Sequence, residues 1–176
     1  MQRTHDAAWR GFASDNYAGV HPEVMQALSA ANGGHQVSYG EDVYTEHLKR
    51  VMETHFGMGI EVFPVFNGTG ANVTSLQAML PRWGAVICSN AAHLATDESV
   101  APQAVGGFGL LPVTSLHGKI TPETIDEQAY GFGDEHHPQP AVVSIAQSTE
   151  LGTVFTVEEV RAIADHAHSK GLLLHM

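Results

Sequence analysis

The stretch from Val62 to Leu76 constrains the fold most, because its pattern of apolar residues changes halfway. Residues 62–66 form a short apolar run rich in Val and Phe, which predicts a strand. Beyond the turn sequence Asn67-Gly68-Thr69-Gly70, apolar residues return at helical spacing, at Val73, Leu76 and Leu80. A strand that feeds a helix through a glycine-rich turn is typical of α/β folds.

This turn is a candidate anion site. The first N–H groups of a helix have no partner within the helix and carry the positive end of its dipole. Gly68 and Gly70 let the backbone approach a phosphate, and Thr69 offers a hydroxyl. A plain tight turn is the alternative interpretation. The turn is neither a P-loop, which needs a lysine after the glycines, nor a G-x-G-x-x-G loop.

Composition narrows the class of protein. The 176 residues are 43% apolar, enough for one domain with a core. Eight Lys and Arg against 19 Asp and Glu give a net charge of −11, which argues against nucleic acid or an anionic membrane as partner. The first six residues are polar, no apolar run approaches the length of a membrane span, and Cys88 is the single cysteine, so we expect a cytoplasmic protein.

Strands and helices are predicted to alternate after an N-terminal arm. The arm covers residues 1–20, and residues 21–176 form the α/β part. Helices are predicted at 22–31, 44–56, 68–80, 91–105, 122–130 and 156–170, and strands at 62–66, 85–88, 110–113, 141–146 and 172–176. Pro112 favours an edge position for its strand. This order predicts a mostly parallel sheet with helices on both faces.

Ligands bind at the carboxyl ends of the strands in such sheets. The glycine turn, the junction of residues 90–93 and the loop of residues 147–152 all fall there. His93 lies at this edge, where it is able to stack on an aromatic ligand or exchange protons; a capping or surface histidine is the alternative. At helical spacing, Asp97 is expected to contact His93.

The sequence gives little support for a zinc site or for a serine or cysteine nucleophile. The twelve histidines lack zinc-site spacing: His136 and His137 are adjacent, and His166 and His168 point to different faces of a helix. No G-x-S-x-G motif occurs, and Cys88 lies in an apolar run where an inert thiol is expected.

Several motifs resemble the pyridoxal-phosphate-dependent threonine aldolases and their β-eliminating lyase relatives, which share the aspartate-aminotransferase-like fold. The matching stretches, in order, are Phe12-Ala13-Ser14-Asp15-Asn16-Tyr17, Tyr39-Gly40-Glu41-Asp42-Val43-Tyr44, Phe66-Asn67-Gly68-Thr69-Gly70-Ala71-Asn72, Ala92-His93 with Asp97-Glu98, Gln147-Ser148-Thr149-Glu150-Leu151-Gly152, and Leu173-Leu174-His175-Met176. Their order and spacing together are specific. The chain is thus expected to be the front part of the large cofactor-binding domain of a fold-type I enzyme.

The resemblance implies roles for five residues. Gly68 and Thr69 would hold the phosphate of pyridoxal 5'-phosphate, and His93 would stack on its ring and take part in proton transfer. Ser14 would help to bind the substrate carboxylate, and Tyr44 would reach an active site across a dimer interface.

The resemblance also implies a reaction and an assembly. The reaction is retro-aldol cleavage of a β-hydroxy amino acid to glycine and an aldehyde, and the assembly is a homodimer or homotetramer. Either His136 or His137 matches a second histidine near the substrate, and the sequence does not choose between them.

The sequence departs from the family at its Schiff-base lysine. In the family, an aspartate follows Leu-His-Met and the lysine comes several strands later. Lys49, Lys119 and Lys170 all fit surface positions instead. The 176 residues alone are therefore expected to form no covalent adduct with the cofactor and to be inactive. Another β-eliminating lyase activity, or a non-catalytic phosphate-binding or interaction module, are the alternative functions.

Overall fold

A computed structural model describes residues 3–176, so residues 1 and 2 of the predicted arm lie outside the described residues. The chain divides into two compact units, one ending at Phe63 and the other spanning Pro64–Met176. The sequence-based division into an arm of residues 1–20 and an α/β part of residues 21–176 stays a prediction.

The N-terminal unit contains two α-helices. A 3-10 helix, Asp15–Tyr17, precedes α1 (Pro22–Ala31) and α2 (Val43–Phe56), close to the predicted bounds. Asp42 caps α2, because its carboxylate accepts hydrogen bonds from the backbone N–H groups of Tyr44 and Thr45. None of the residues described in this unit is buried.

The C-terminal unit is an α/β sheet structure. Its elements are α3 (Gly68–Met79), β1 (Gly84–Ser89), α4 (His93–Thr96), a π-helix (Pro102–Gly106), β2 (Gly109–Val113), α5 (Pro122–Asp126), β3 (Gln139–Ser144), α6 (Val157–Ser169) and β4 (Leu173–His175). The four strands are parallel in the order β2-β1-β3-β4, which confirms the predicted parallel sheet. Pro112 lies on β2, an edge strand as predicted.

Alternate residues of the central strands pack into two cores. Ile87 of β1 faces α6, where it belongs to a cluster with Ile163 and Ala167. Val86 and Cys88 face the opposite side, in a cluster with Leu76 of α3 and Leu94 of α4. Because successive side chains of a strand point to opposite faces, one short apolar strand serves both cores. Helices therefore cover both faces of the sheet, as predicted.

Two predicted elements are wrong. Residues 62–66 form no strand: Phe63 is 80% exposed and Phe66 is 99% exposed, so this apolar run has neither a paired neighbour nor a covered face in the part of the chain described. The helix predicted over residues 91–105 is interrupted after Thr96, where Ser99 and Val100 have φ values of 50° and 58°. A positive φ is incompatible with a continuing right-handed helix.

Smaller differences lie at element ends. The helix predicted over residues 122–130 is the short α5, which ends at Asp126. β4 is half-exposed rather than buried. The capping box of α6 is confirmed: the Thr156 hydroxyl accepts from the Glu159 N–H, and the Glu159 carboxylate accepts from the Thr156 N–H.

Candidate active site

The glycine turn forms the first turn of α3 in the C-terminal unit. The Asn67 side chain accepts a hydrogen bond from the Gly70 N–H at 2.8 Å and so fixes where the helix begins. The N–H groups of Gly68 and Thr69 belong to this first turn, where the helix offers no carbonyl partner. A Cβ atom at Gly68 would meet nothing within 4 Å, so the backbone there is open to a bulky anion.

His93 begins α4, four residues after the end of β1, at the carboxyl edge of the sheet. Its side chain is 45% exposed, and its Nδ1 atom lies 2.9 Å from Oε1 of Glu98. One edge of the imidazole is therefore anchored in the protein while the rest of the ring remains accessible.

Glu98 is the buried partner of His93. Its side chain has 0% exposure, and its Oε1 also accepts a hydrogen bond from Nδ2 of Asn72 at 2.6 Å. Asn72 lies on α3, so the trio Asn72, Glu98 and His93 connects this helix to the segment that carries the histidine. Oε2 of Glu98 is buried and has no hydrogen-bond partner among the described residues.

The predicted contact between Asp97 and His93 is replaced by this one. Asp97 is exposed and accepts a hydrogen bond from the Thr96 hydroxyl at 2.6 Å. The i to i+4 spacing assumes an unbroken helix, but α4 ends at Thr96, and the turn that follows directs Glu98 inward instead. Sequence reasoning missed Glu98, although it lies next to the residue chosen.

The surroundings of His93 raise its pKa above the usual value. The hydrogen bond to the Glu98 carboxylate is the largest cause, partial burial opposes it, and the negative charges of Glu150, Glu98 and Asp97 add to the increase. An imidazole with a raised pKa holds a proton more readily near neutral pH, as a group that accepts a substrate proton must.

A second polar pair lies at the same edge. Ser144 ends β3, and its hydroxyl lies 2.9 Å from Nδ1 of His175, which ends β4. Burial lowers the pKa of His175, and the negative charge of Glu98 opposes that change. The loop of residues 147–152 follows β3 as predicted, with Thr149 buried inside it.

Ser14 and Tyr44 lie in the N-terminal unit. The Ser14 hydroxyl accepts a hydrogen bond from the Asn16 N–H at 3.1 Å. Tyr44 lies in the first turn of α2 and is 53% exposed. The roles of both residues stay predictions, as do those of Gly68, Thr69 and His93.

His136 and His137 lie far from His93 within the C-terminal unit. They precede β3 and so lie at the amino edge of the parallel sheet, whereas His93 follows the carboxyl end of β1. Six residues of strand separate the two edges by about 17 Å. His137 packs edge-on against Tyr130, and His136 is the more exposed of the two.

Each of the three lysines is paired with a carboxylate. Lys49 contacts Glu61 at 3.1 Å within the N-terminal unit. In the C-terminal unit, Lys119 contacts Glu159, and Lys170 contacts Asp126 at 2.8 Å. The Lys49 side chain is 44% exposed, whereas those of Lys119 and Lys170 are partly covered, at 23% and 29%, and the predicted surface roles stay predictions.

Within residues 3–176, no group of three or more His, Cys, Asp or Glu side chains is arranged to hold a metal ion. No helix in the same range is both long enough and apolar enough to cross a bilayer.

Known proteins match this chain over most of its length. The family model described as "Beta-eliminating lyase" matches residues 11–176. A low specificity L-threonine aldolase of Pseudomonas sp. (strain NCIMB 10558) is 43% identical over 170 residues, which cover 94% of this chain and 48% of the aldolase. The chain thus spans about half the length of the curated relatives it matches.

Solved structures agree on the fold. A threonine aldolase from Leishmania major is 25% identical with a TM-score of 0.83, over 89% of this chain and 46% of that one. A C-S lyase from Staphylococcus hominis with pyridoxal 5'-phosphate bound is 11% identical with a TM-score of 0.57, over 86% and 37%, and shows the fold alone. The β-eliminating lyases depend on this cofactor, so the predicted fold class and cofactor are confirmed for the family.

Proposed function

Because the chain belongs to the β-eliminating lyase family, we propose that it is part of a pyridoxal-phosphate-dependent lyase that cleaves β-hydroxy amino acids. Threonine or allo-threonine would be the substrate, and glycine and an aldehyde the products. The observation that carries this proposal is the placement of His93 and the first turn of α3 in one unit, joined through Glu98 and Asn72. The identity to the Pseudomonas aldolase supports the reaction class.

The residues present fit the cofactor. Gly68 and Thr69 would hold its phosphate with first-turn N–H groups, and the open space at Gly68 leaves room for the phosphate oxygens. His93, half-exposed and anchored at Nδ1, would cover the ring. The cofactor, when bound, supplies the electron sink for breaking the Cα–Cβ bond.

The protein's own chemical step is proton transfer at His93. In the neutral imidazole that donates its Nδ1 proton to Glu98, Nε2 carries the free lone pair. Nε2 would accept the proton of the substrate β-hydroxyl as the carbonyl of the aldehyde forms. The raised pKa of His93 favours its holding that proton.

Contributions from the N-terminal unit complete the proposal. Ser14 would bind the substrate carboxylate, and Tyr44 would reach the active site of a second subunit. The absence of buried residues in the part of this unit described, together with half-exposed apolar side chains such as Val24 and Leu28 on α1, supports a homodimer or homotetramer. Light scattering of the purified protein tests this assembly. The free thiol of Cys88, the single cysteine, suits the proposed cytoplasmic location.

The 176-residue chain alone should be inactive. The carboxylate partners described for its three lysines are Glu61, Glu159 and Asp126 rather than residues of the candidate site, so none is placed to bond covalently with a cofactor held there. Borohydride reduction after incubation with pyridoxal 5'-phosphate, followed by peptide mass spectrometry, should find no stable adduct at Lys49, Lys119 or Lys170. An adduct at any of them would contradict this proposal.

Cofactor binding to the chain is tested with Gly68→Ala. The variant keeps the backbone N–H but puts a methyl group into the open space at this turn, which should push the phosphate away from the first-turn N–H groups. Weakening one hydrogen bond to a charged phosphate costs about 1.5–3 kcal/mol, so the Kd should rise about tenfold or more. Gly19→Ala is the matched control, because a Cβ atom there also meets nothing within 4 Å. Fluorescence titration gives both values. If the two variants have equal affinities for the cofactor, the phosphate site is refuted. If the unsubstituted chain binds no cofactor at all, a non-catalytic module is favoured.

The type of lyase is tested on the intact protein. Release of glycine from threonine or allo-threonine supports the aldolase, whereas release of pyruvate from cysteine or of phenol from tyrosine would indicate β-elimination instead.

A further inference from the structure

The buried carboxylate of Glu98 explains how His93 could be kept in one tautomer. We propose that Glu98 is a positioning residue that holds the proton of His93 on Nδ1 and thereby leaves Nε2 as the basic nitrogen. This inference deepens the proposed function, and it rests on that function for the role of Nε2 as the base that accepts the substrate proton.

The hydrogen bonds at Oε1 carry the argument. Oε1 lies 2.9 Å from His93 Nδ1 and 2.6 Å from the Asn72 amide nitrogen. An ionised carboxylate only accepts hydrogen bonds, so the proton in the contact with His93 belongs to Nδ1. A neutral histidine has one N–H, and its Nε2 is then an acceptor. The partner of one ring nitrogen thus decides the chemistry of the other.

Stability alone does not explain this carboxylate. The Glu98 side chain has 0% exposure, yet its Oε2 has no hydrogen-bond partner among the described residues. Burying a charge with an unsatisfied oxygen opposes folding, and an apolar side chain would avoid that cost. The burial of this carboxylate is better explained by its effect on the proton position of His93, the candidate catalytic histidine that it contacts.

The backbone after Glu98 supports the same conclusion. Ser99 and Val100 have φ values of 50° and 58°, and the left-handed region is strongly disfavoured for a β-branched residue such as Val100. α4 has already ended at Thr96, where Asp97 leaves helical geometry with φ −124° and ψ 12°, and the left-handed turn follows directly after Glu98. Strain of this kind persists where the surroundings impose it and clusters at functional sites.

The test is ¹⁵N NMR of the histidine side chains in the protein without added cofactor. The His93→Gln spectrum identifies the His93 signals by their absence. The wild-type spectrum should show the Nδ1–H tautomer at high pH and a pKa for His93 above the ordinary 6.5. An Nε2–H tautomer in the wild type would overturn the proposal without any variant, so the outcome does not depend on whether a variant folds.

Two variants separate the effect of the Glu98 hydrogen bond on the pKa of His93 from the effect of nearby negative charges in general. Glu98→Gln keeps the shape and an acceptor oxygen but removes the charge, and Asp97→Asn removes one negative charge from the exposed neighbour. Glu98, Glu150 and Asp97 are the charged groups that act on His93. Glu98→Gln should lower the pKa of His93 clearly more than Asp97→Asn does. Equal effects of the two variants would overturn the proposal.

Steady-state kinetics of the intact enzyme then connect Glu98 to the reaction. In the intact enzyme, Glu98→Gln should lower kcat with little change in KM and move the acid limb of the pH profile to lower pH, whereas Asp97→Asn should leave both nearly unchanged. The NMR measurement needs no cofactor and no turnover. Failure of the proposed function therefore leaves the tautomer result standing, and failure of the tautomer result leaves cofactor binding standing.

Discussion

Gly118 combines a left-handed backbone with close neighbours at the position that a Cβ atom would take. It lies in the loop after β2 with φ +81°, and a Cβ atom there would lie 2.9 Å from Oγ1 and 3.0 Å from Cβ of Thr149. Thr149 is buried, and its hydroxyl lies 2.7 Å from that of Thr153. Gly118→Ala therefore strains the backbone and also pushes on the loop that follows β3.

The magnitude is the sum of two costs. A left-handed conformation costs a residue with a Cβ atom about 1–2 kcal/mol. Overpacking against Thr149 adds about 1–3 kcal/mol. Gly118→Ala should thus lower the free energy of unfolding by about 2–5 kcal/mol. Gly171→Ala is the matched control, because φ is +76° but nothing lies within 4 Å of its Cβ position, so only the backbone cost of about 1–2 kcal/mol applies.

Urea unfolding measures both values. A Trp9→Phe background leaves Trp83 as the fluorescent reporter in the C-terminal unit, which also contains both glycines. With a urea m-value of about 2 kcal/mol/M, the midpoint for Gly118→Ala should fall by about 1–2.5 M, and that for Gly171→Ala by about 0.5–1 M. Equal midpoints would show that the contact with Thr149 contributes nothing, and a larger loss for Gly171→Ala would refute the reasoning outright.

Two further predictions concern a half-buried histidine and a buried cysteine. The folded-state pKa of His175 lies below its unfolded value of 6.5, so the unfolded state binds more protons and stability should fall as the pH decreases below 6.5. His175→Gln should flatten this part of a plot of urea midpoint against pH. An unchanged slope would contradict the prediction. Burial raises the pKa of the Cys88 thiol to about 12, so iodoacetamide should label it only when urea unfolds the protein. Intact-mass spectrometry follows the labelling, and rapid modification of the native protein would show that the thiol is accessible.

In the C-terminal unit, local patterns correctly predicted elements whose side chains also find a tertiary partner. The structure confirms the predicted capping box of α6 and the strands predicted from the apolar runs of β1 and β3. These elements also pack together, because α6 lies on the sheet whose central strands are β1 and β3. Residues 62–66 have an equally apolar pattern, yet they form no strand. A strand needs a hydrogen-bonded neighbour, and periodicity within one segment does not report whether that neighbour exists.

The candidate site was predictable in position but not in detail. A parallel sheet brings the loops after its strands to one edge, which is enough to place His93 there from sequence alone. The choice of Asp97 over Glu98 failed because it assumed an unbroken helix. α4 ends at Thr96 instead, and Glu98 rather than Asp97 is then the buried partner of His93.

The ends of the two central strands carry a signal of their own. β1 and β3 are apolar almost throughout but end in Ser89 and Ser144, which are buried and lie at hydrogen-bonding distance from Ser115 and His175. A buried hydroxyl requires a partner, and in both strands that partner comes from the segment at the end of the adjoining outer strand. Each central strand thus places one buried hydroxyl at the edge of the sheet where His93 lies. Ser89 ends the apolar run of β1 and so marks this edge in the sequence, whereas the apolar run of β3 continues through Ile145 and Ala146, so that only the structure places Ser144 at the edge.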